Sequence, residues 1–240
     1  MILGGLQKTT LVDFPGRVAC TVFTVGCNFR CPFCHNKDLV TQRLFKKSGI
    51  KPILEDYFFD FLEKRRKILD GVCITGGEPT IWKDLPNFCQ KIKDLGLEVK
   101  LDSNGSNPNV LKNLIDKKLI DFIAMDVKTA FKEYSKAVNV KTRISNIKSS
   151  IKLISQSGLE YEFRTTVVPG IHDEKAMVNL AKDLKKISKK CRIYIQSFRP
   201  KNCLNPEYLK IKPYNDNQIK KILLAVQKVL PKAELRDSYE

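Results

Sequence analysis

Three cysteines lie close together in the segment Cys27-Asn28-Phe29-Arg30-Cys31-Pro32-Phe33-Cys34. Three thiolates in one loop can converge on one inorganic centre. A structural zinc site requires four protein ligands, and the nearby candidate, His35, is poorly spaced because it is adjacent to Cys34. An iron–sulfur cube is usually held by four cysteines, so three leave one iron without a protein ligand. The ligand count therefore favours an iron–sulfur cluster with one corner available to a substrate, and the alternatives are zinc and a fortuitous group of three cysteines.

The other five cysteines are scattered, and Cys20, Cys73 and Cys191 lie in apolar runs where a free thiol acts as a small hydrophobe. The N-terminus lacks a basic head followed by a long apolar run and a cleavage site. The most apolar stretches, such as Val18 to Phe29, are shorter than the ~20 residues of a membrane-spanning helix. We therefore predict a cytoplasmic protein without a membrane span, in which the thiols are reduced.

The chain has 240 residues, of which 42% are hydrophobic, and this is enough to bury one sizeable core. Its formal net charge of +17 comes from 43 basic and 26 acidic residues, and lysine pairs recur along the segments with helical periodicity. This pattern indicates a solvated surface, with a face for nucleic acid or for an acidic partner as the alternative. Without interleaved aromatic residues, a nucleic-acid partner is not expected. The composition excludes disordered, collagenous and coiled-coil proteins.

Short β-branched runs alternate with longer segments of helical periodicity. The predicted strands are Val18–Val25, Gly71–Thr75, Leu97–Asp102, Ile120–Asp126, Leu159–Val167 and Cys191–Ser197. The predicted helices are Ile53–Leu69, Asp84–Leu95, Asn109–Lys118, Arg143–Ser157, Glu174–Ser188 and Asp216–Leu230. Gly96 and Gly158 stand where helix C-terminal caps belong.

Polar side chains follow the carboxyl end of each predicted strand. Sites at that end of every strand favour a (β/α) barrel over a Rossmann sheet, which concentrates its site at one switch point. The predicted fold is a partial (β/α)6 TIM-like barrel. We predict a single domain over residues 1–240, with a lead-in at 1–17, the core at 18–230 and a tail at 231–240.

The spacing C-x3-C-x2-C, followed on the next strand by Gly76-Gly77-Glu78-Pro79, resembles the radical S-adenosylmethionine superfamily. The segments Leu11-Val12-Asp13-Phe14-Pro15-Gly16-Arg17 and Cys31-Pro32-Phe33-Cys34-His35-Asn36 resemble the glycyl-radical-enzyme activases. Within that group, the chain from about Leu3 to about Pro206 is most similar to the anaerobic ribonucleoside-triphosphate reductase activating proteins. The resemblance supports the partial barrel.

The resemblance implies that Cys27, Cys31 and Cys34 bind one [4Fe-4S] cluster. Its fourth iron would be chelated by S-adenosylmethionine, which an electron splits into methionine and a 5′-deoxyadenosyl radical. The resemblance also implies a cofactor-binding role for the turn Gly76, Gly77 and Glu78, in which Glu78 accepts from the methionine ammonium. An ordinary turn is the alternative for the glycine pair.

Further cofactor-binding roles are implied for residues on later strands. Ser103 and Asn104 match a cofactor-binding segment, and Arg164 matches an arginine that meets the methionine carboxylate. Phe33 would pack beside the adenine. The alternatives are a surface ion pair for Arg164 and a core position for Phe33.

Asp126 and Lys128 resemble a D-x-K element of the pyruvate formate-lyase type of activase. In that type, acidic groups equivalent to Asp102 and Asp126 hold a monovalent cation, whereas two carboxylates at strand ends can equally cap helices. His172 precedes a helix, so we interpret it as an N-terminal cap partner more readily than as a substrate contact.

The implied partners are a glycyl-radical enzyme, with the anaerobic ribonucleotide reductase as the first choice, and a flavodoxin or ferredoxin type electron donor. Alternative functions are a radical enzyme that modifies a small molecule or RNA, an activase of another glycyl-radical enzyme such as pyruvate formate-lyase, and a zinc-bound interaction domain.

Overall fold

The computed structural model describes residues 1–188 and 191–236. Lys189, Lys190 and the last four residues of the predicted tail lie outside the described residues. The chain divides into two compact units. The first unit comprises Met1–Asn28, Asp38–Ser103 and Asn109–Ala124, and the second comprises Phe29–Lys37, Asn104–Pro108 and the chain from Met125 onward. A single domain stays a prediction.

The first unit contains a sheet in which the strands follow one another in chain order. The strands are β1 (Leu3–Thr10), β2 (Ala19–Thr24), β3 (Gly71–Gly76), β4 (Glu98–Ser103) and the start of β5 (Phe122–Asp126). β1 pairs antiparallel with β2, whereas β2, β3 and β4 pair in parallel. Its helices are α1 (Gln42–Ser48), α2 (Glu55–Arg65), α3 (Leu85–Asp94) and α4 (Pro108–Asp116).

The parallel strands of this unit are apolar because both of their faces are covered. Val72, Cys73 and Ile74 at the centre of β3 are fully buried. Helices α2 and α3 meet through a stack of Phe58 on Phe88, with ring centroids 5.3 Å apart. These contacts hold the sheet rigid beneath the loops that follow β2, β3 and β4.

The second unit contains the end of β5, then β6 (Glu160–Val167), β7 (Ile193–Ser197) and β8 (Glu234–Leu235). β6, β7 and β8 pair in parallel, with Arg164 opposite Tyr194. Its helices are α5 (Tyr134–Ala137), α6 (Ile144–Gln156), α7 (Glu174–Ile187) and α8 (Asp216–Gln227). Asn215 and Gln218 form a reciprocal capping box that begins α8.

All six predicted strands and all six predicted helices are present, and their observed bounds are somewhat shorter at most ends. Gly96 and Gly158 adopt φ of +78°, which confirms their positions as helix caps. The sequence analysis missed β1, α1, α5 and β8. β1 is a strand inside the predicted lead-in, and its paired glycines and polar second half hide the alternation that indicates a strand. In the described part of the chain, no helix is both long enough and apolar enough to cross a membrane.

Candidate active site

The backbone at the end of β2 positions Cys27 in the first unit. The amide of Gly26 donates to the carbonyl of Leu39 at 2.7 Å, and the amide of Cys27 donates to that of Val40 at 2.9 Å. Gly26 adopts φ of +102°, a conformation that favours glycine. These two hydrogen bonds fix the direction in which the chain leaves β2, so Cys27 stands at the carboxyl end of the strand.

The Gly76-Gly77-Glu78 turn packs directly against the backbone that precedes Cys27. The amide of Gly77 donates to the carbonyl of Thr24 at 2.8 Å, and the amide of Glu78 donates to that of Gly26 at 2.7 Å. A Cβ atom on Gly77 would lie 2.0 Å from the oxygen of Gly26. Glycine is therefore required here because two backbones approach each other, and the cofactor role of the turn stays a prediction.

The carboxylate of Glu78 is buried, with 1% of the residue exposed. Its Oε1 accepts from the amide of Thr80 at 3.1 Å, from the Thr80 hydroxyl, and from Oγ of Ser103 at 2.9 Å. A buried charge requires such donors. Ser103 thus contacts Glu78, and Thr80 is a positioning residue that the sequence analysis missed. The sequence signal for this role was the position of Thr80 two residues after Glu78, from which a threonine can donate to the glutamate carboxylate.

Asp102 lies in a second buried polar cluster of the first unit. It accepts from the ammonium of Lys100, which is 1% exposed, and from Oγ1 of Thr75 at 3.2 Å. The Lys100 ammonium also lies 3.7 Å from Sγ of Cys73. The sequence analysis missed Lys100 because a lysine on a strand is usually exposed.

In the second unit, Cys31 and Cys34 lie on one tight turn. The amide of Cys34 donates to the carbonyl of Cys31 at 3.1 Å. The amides of Leu204 and Asn205 donate to the carbonyls of Cys34 and Pro32 at 3.1 and 2.9 Å. The segment after β7 therefore holds both cysteines in place.

Burial raises the pKa of the Cys31 thiol to about 11, although the Lys128 ammonium counteracts part of this shift. Burial also raises the pKa of Cys34. None of the eight cysteines, all of which lie in the described part of the chain, forms a disulfide. Thiolates bind iron, so these thiols must release protons when a cationic centre binds. The positive charge of Lys128 favours that release.

Asp126, Lys128 and Arg164 form a compact ionic network in the second unit. Nε of Arg164 donates to Oδ1 of Asp126 at 2.9 Å, and Nζ of Lys128 donates to Oδ2 at 2.9 Å. Burial alone would raise the pKa of Asp126, but the two cations outweigh burial and hold this pKa well below its usual range. The pKa of Lys128 is raised because the attraction of Asp126 outweighs burial. Arg164 is thus in a partly buried ion pair, with 12% of its side chain exposed against 32% for Asp126, and its cofactor role stays a prediction.

Glu162 and Arg236 extend this network along β6. Arg236 donates to both carboxylate oxygens of Glu162 at 2.7 and 2.8 Å, and NH1 of Arg164 lies 3.7 Å from Oε1 of Glu162. Glu162 is buried, so its charge needs these cations. The two residues were missed because no local sequence pattern marks a pair so distant in the chain.

His172 is fully buried and joins two loops of the second unit. Its Nδ1 accepts from the amide of Val168 at 3.0 Å, so the proton lies on Nε2, which donates to the carbonyl of Lys128 at 2.7 Å. Burial lowers the pKa of His172 to about 4. Asp173, and not His172, caps α7 by accepting from the amide of Ala176 at 2.7 Å. The interpretation of His172 as the cap partner is therefore wrong.

Phe33 and Asn104 are both buried in the second unit. The ring of Phe33 lies 6.5 Å from that of His172 and 6.4 Å from that of Tyr208. Oδ1 of Asn104 accepts from the amide of Ser106 at 2.9 Å, which closes the turn after β4. The observed contacts are therefore packing for Phe33 and turn formation for Asn104, and their cofactor roles stay predictions.

The donor chemistry of the described residues fits the predicted groups. Three cysteines that form no disulfide suit an iron–sulfur cluster, and the buried carboxylate of Glu78 suits an ammonium group. Asp102 and Asp126 already have cationic partners in Lys100, Lys128 and Arg164, so the monovalent cation stays a prediction. Within residues 1–188 and 191–236, no three His, Cys, Asp or Glu side chains gather around a single metal-ion position.

The sequence pattern of the Radical SAM superfamily matches residues 21–184. A Methanocaldococcus jannaschii protein, provisionally named glycyl-radical enzyme activating enzyme MJ1227, is 32% identical over 98% of this chain and 95% of its own length. The pyruvate formate-lyase-activating enzyme of Clostridium pasteurianum is 24% identical over 79% of this chain and 81% of its own length.

Two solved structures resemble the chain in fold. Streptococcus suis SuiB bound to its precursor peptide SuiA has a TM-score of 0.65 at 14% identity and covers 91% of this chain. The chain spans 48% of SuiB. TYW1 with a lysine-pyruvate adduct has a TM-score of 0.60 at 14% identity, over 88% of this chain and 73% of TYW1.

These comparisons confirm the predicted fold class, an α/β fold with a partial TIM-barrel-like parallel sheet. The members of the matched family carry a [4Fe-4S] cluster and use S-adenosylmethionine. The chain belongs to the radical SAM superfamily and is an oxidoreductase of that family.

Proposed function

We propose that this protein is an activase that generates a glycyl radical on a partner enzyme. The observation that carries the proposal is the 32% identity to a glycyl-radical enzyme activating protein over nearly the full length of both chains. The spacing of Cys27, Cys31 and Cys34 agrees with it. The partner we propose is the anaerobic ribonucleotide reductase, and the location we propose is the cytoplasm, where thiols stay reduced.

Cys27, Cys31 and Cys34 would hold one [4Fe-4S] cluster and leave its fourth iron for S-adenosylmethionine. When bound, this cluster supplies one electron that splits the sulfonium into methionine and a 5′-deoxyadenosyl radical, which then takes one hydrogen atom from the glycine Cα of the partner. The protein's own groups bind and orient the substrate and exclude water around it.

Glu78 is the group we assign to the methionine ammonium. Its carboxylate is held by Thr80 and Ser103, so it is ordered before a ligand arrives. A prepositioned acceptor loses little conformational entropy when it binds a cation. Gly76 and Gly77 would let the backbone of the turn pack against β2 and so hold Glu78 in position for the same ammonium.

Arg164 and Lys128 are the cations we assign to the methionine carboxylate. Both are held by Asp126 and are therefore fixed in direction. Nε of Arg164 donates to Asp126 and its Nη1 lies 3.7 Å from Oε1 of Glu162, so two carboxylates orient the guanidinium. Phe33 would contact the adenine with its apolar ring, and Asn104 would keep the turn after β4 closed beside it.

The test is anaerobic reconstitution with iron and sulfide, followed by reduction and addition of S-adenosylmethionine with anaerobic ribonucleotide reductase or with pyruvate formate-lyase. We expect a glycyl radical signal in electron paramagnetic resonance with the reductase and none with the lyase. Cys31→Ala should give no signal, while Cys89→Ala, a buried cysteine outside the loop, should keep it. If no glycyl radical signal appears with either partner while 5′-deoxyadenosine forms rapidly, the proposal is refuted.

A further inference from the structure

An apolar cavity of about 400 Å³ lies in the first unit, against β1, α1 and the start of α2. Its walls are mostly hydrocarbon, from side chains that include Ile2, Phe45, Ile50, Ile53 and Leu54. This volume is within the range of natural binding pockets, about 300 to 1,000 Å³. None of the residues assigned to the substrate above lines it, so the proposed function does not account for this cavity.

Large hydrophobic side chains are exposed along the same stretch of chain. Leu54 is 73% exposed, Tyr57 is 51% exposed and Ile50 is 44% exposed. Single exposed apolar residues are normal, but several of them beside an apolar cavity mark an interaction site. An anchor side chain of a partner protein that fills such a cavity supplies much of the binding energy of an interface.

The surface around the cavity is basic. Arg43, Lys46, Lys47 and Lys51 are all exposed on α1 and the turn that follows it. Of the acidic residues beside the cavity, Glu55 is paired with Lys91 at 2.8 Å and Asp84 with the N-terminal ammonium of Met1, and Asp56 is exposed, so the four cations outnumber these acids. A basic rim around an apolar centre is complementary to an acidic protein surface that has an apolar anchor.

The cavity shares its inner wall with the scaffold that holds Cys27. Phe45 packs with Val25 and Leu39 in one buried cluster, and Ile2 packs against that cluster. Val25 is two residues before Cys27, so their Cα atoms are at most about 7 Å apart. The amide of Cys27 donates to Val40, the residue after Leu39. A protein that docks on this surface is therefore brought close to a ligand of the proposed cluster.

We infer that this surface, defined by Arg43, Lys46, Lys47, Lys51, Ile50 and Leu54, docks a small acidic one-electron carrier protein. The carrier would lose one electron and the cluster would gain one, which replaces the electron consumed each time S-adenosylmethionine is split. The inference rests on the proposed function, because it requires a cluster held by Cys27. It also gives part of the +17 net charge a role in recognition.

The experiment uses the reconstituted protein and reduced flavodoxin under anaerobic conditions. Stopped-flow absorbance follows the rate of cluster reduction, and biolayer interferometry gives the Kd of the complex. The variants are Leu54→Glu and the double variant Lys46→Glu/Lys47→Glu. Their matched controls on or beside α8 are Leu224→Glu, at a residue that is 61% exposed, and Lys220→Glu/Lys228→Glu.

We expect Leu54→Glu to weaken flavodoxin binding about tenfold, the usual cost of removing an interface anchor. The double lysine variant should slow reduction about tenfold at low salt, and the difference should vanish near 1 M salt, where the Debye length is about 3 Å. Both controls should behave as wild type. Reduction by dithionite, a small molecule that needs no docking surface, should be unchanged in every variant.

Equal Kd and equal reduction rate in variants and controls would overturn the inference. So would variants that accept electrons normally from flavodoxin but lose glycyl radical formation, since the surface would then belong to the glycyl-radical enzyme. If dithionite-reduced wild type fails to split S-adenosylmethionine, the proposed function fails. The docking inference is still decided by the Kd and the reduction rate.

Discussion

Replacing Gly77 with alanine tests whether close backbone approach builds the candidate site. A Cβ atom there would lie 2.0 Å from the Gly26 oxygen and 2.7 Å from its carbonyl carbon. The shorter distance falls 1.0 Å below the 3.0 Å limit of real Cβ contacts, so the backbone must move by about that amount. Overpacking usually costs about 1–3 kcal/mol, and here the obstacle is backbone that cannot rotate away. We expect a loss of about 3 kcal/mol in unfolding free energy.

The displacement should also reach the cluster, because the atom in contact belongs to the residue before Cys27. We expect Gly77→Ala to retain less than half of the wild-type iron after reconstitution. Gly96→Ala is the control: its φ of +78° carries a strain of about 1–2 kcal/mol, but nothing lies within 4 Å of its Cβ position. It should lose stability and keep its iron.

Urea unfolding and the ratio of iron to protein measure the two effects separately. If Gly77→Ala unfolds at the wild-type urea midpoint and binds a full complement of iron, close approach of the two backbones is not needed, and the reasoning above is refuted. If Gly96→Ala loses as much iron as Gly77→Ala, the effect is a general result of lower stability.

Three further predictions concern the buried ionisable groups. Glu78→Gln should weaken S-adenosylmethionine binding by about 2 kcal/mol, roughly thirtyfold, because a charge-assisted hydrogen bond is lost; calorimetry that finds unchanged affinity would contradict this role. Asp126→Asn should cost about 1–3 kcal/mol of stability at pH 7, because Arg164 and Lys128 lose their anionic partner in a network that is only partly buried. The pKa of Asp126 is depressed in the fold. Its contribution to the free energy of unfolding is therefore fully present above the unfolded pKa near 3.8 and is lost as the pH falls below that value. The urea midpoint should consequently decrease less on acidification in the variant than in the wild type. His172 has a pKa of about 4 in the fold against 6.5 unfolded, so the free energy of unfolding of the metal-free chain should fall as the pH falls from 6.5 to 4. His172→Gln should reduce this pH dependence in urea titrations. An unchanged pH dependence would assign it to other groups.

Much of the fold could be predicted because its signals are local. Apolar runs of five to eight residues, helical periodicity and terminal glycines such as Gly96 each depend on a few neighbouring residues. β1 was not predicted because its glycines, glutamine and lysine have low strand propensity. Its pairing with β2 overrides that propensity. Local preference is a weak guide where a neighbouring strand supplies the hydrogen bonds.

The sequence by itself determined which chemistry the chain can perform. Three cysteines at C-x3-C-x2-C and the Gly76-Gly77-Glu78 turn restrict the ligand set and the loop geometry, because spacing along a short segment limits how far apart these groups can be. The tertiary structure alone decided which groups contact each other. Ser103 and Glu78, 25 residues apart, meet because parallel pairing brings the carboxyl ends of β3 and β4 together. Arg164 and Asp126, 38 residues apart, form an ion pair in the second unit. Such partnerships depend on strand order and register, which are set by packing of the whole core and leave no mark in the neighbouring sequence.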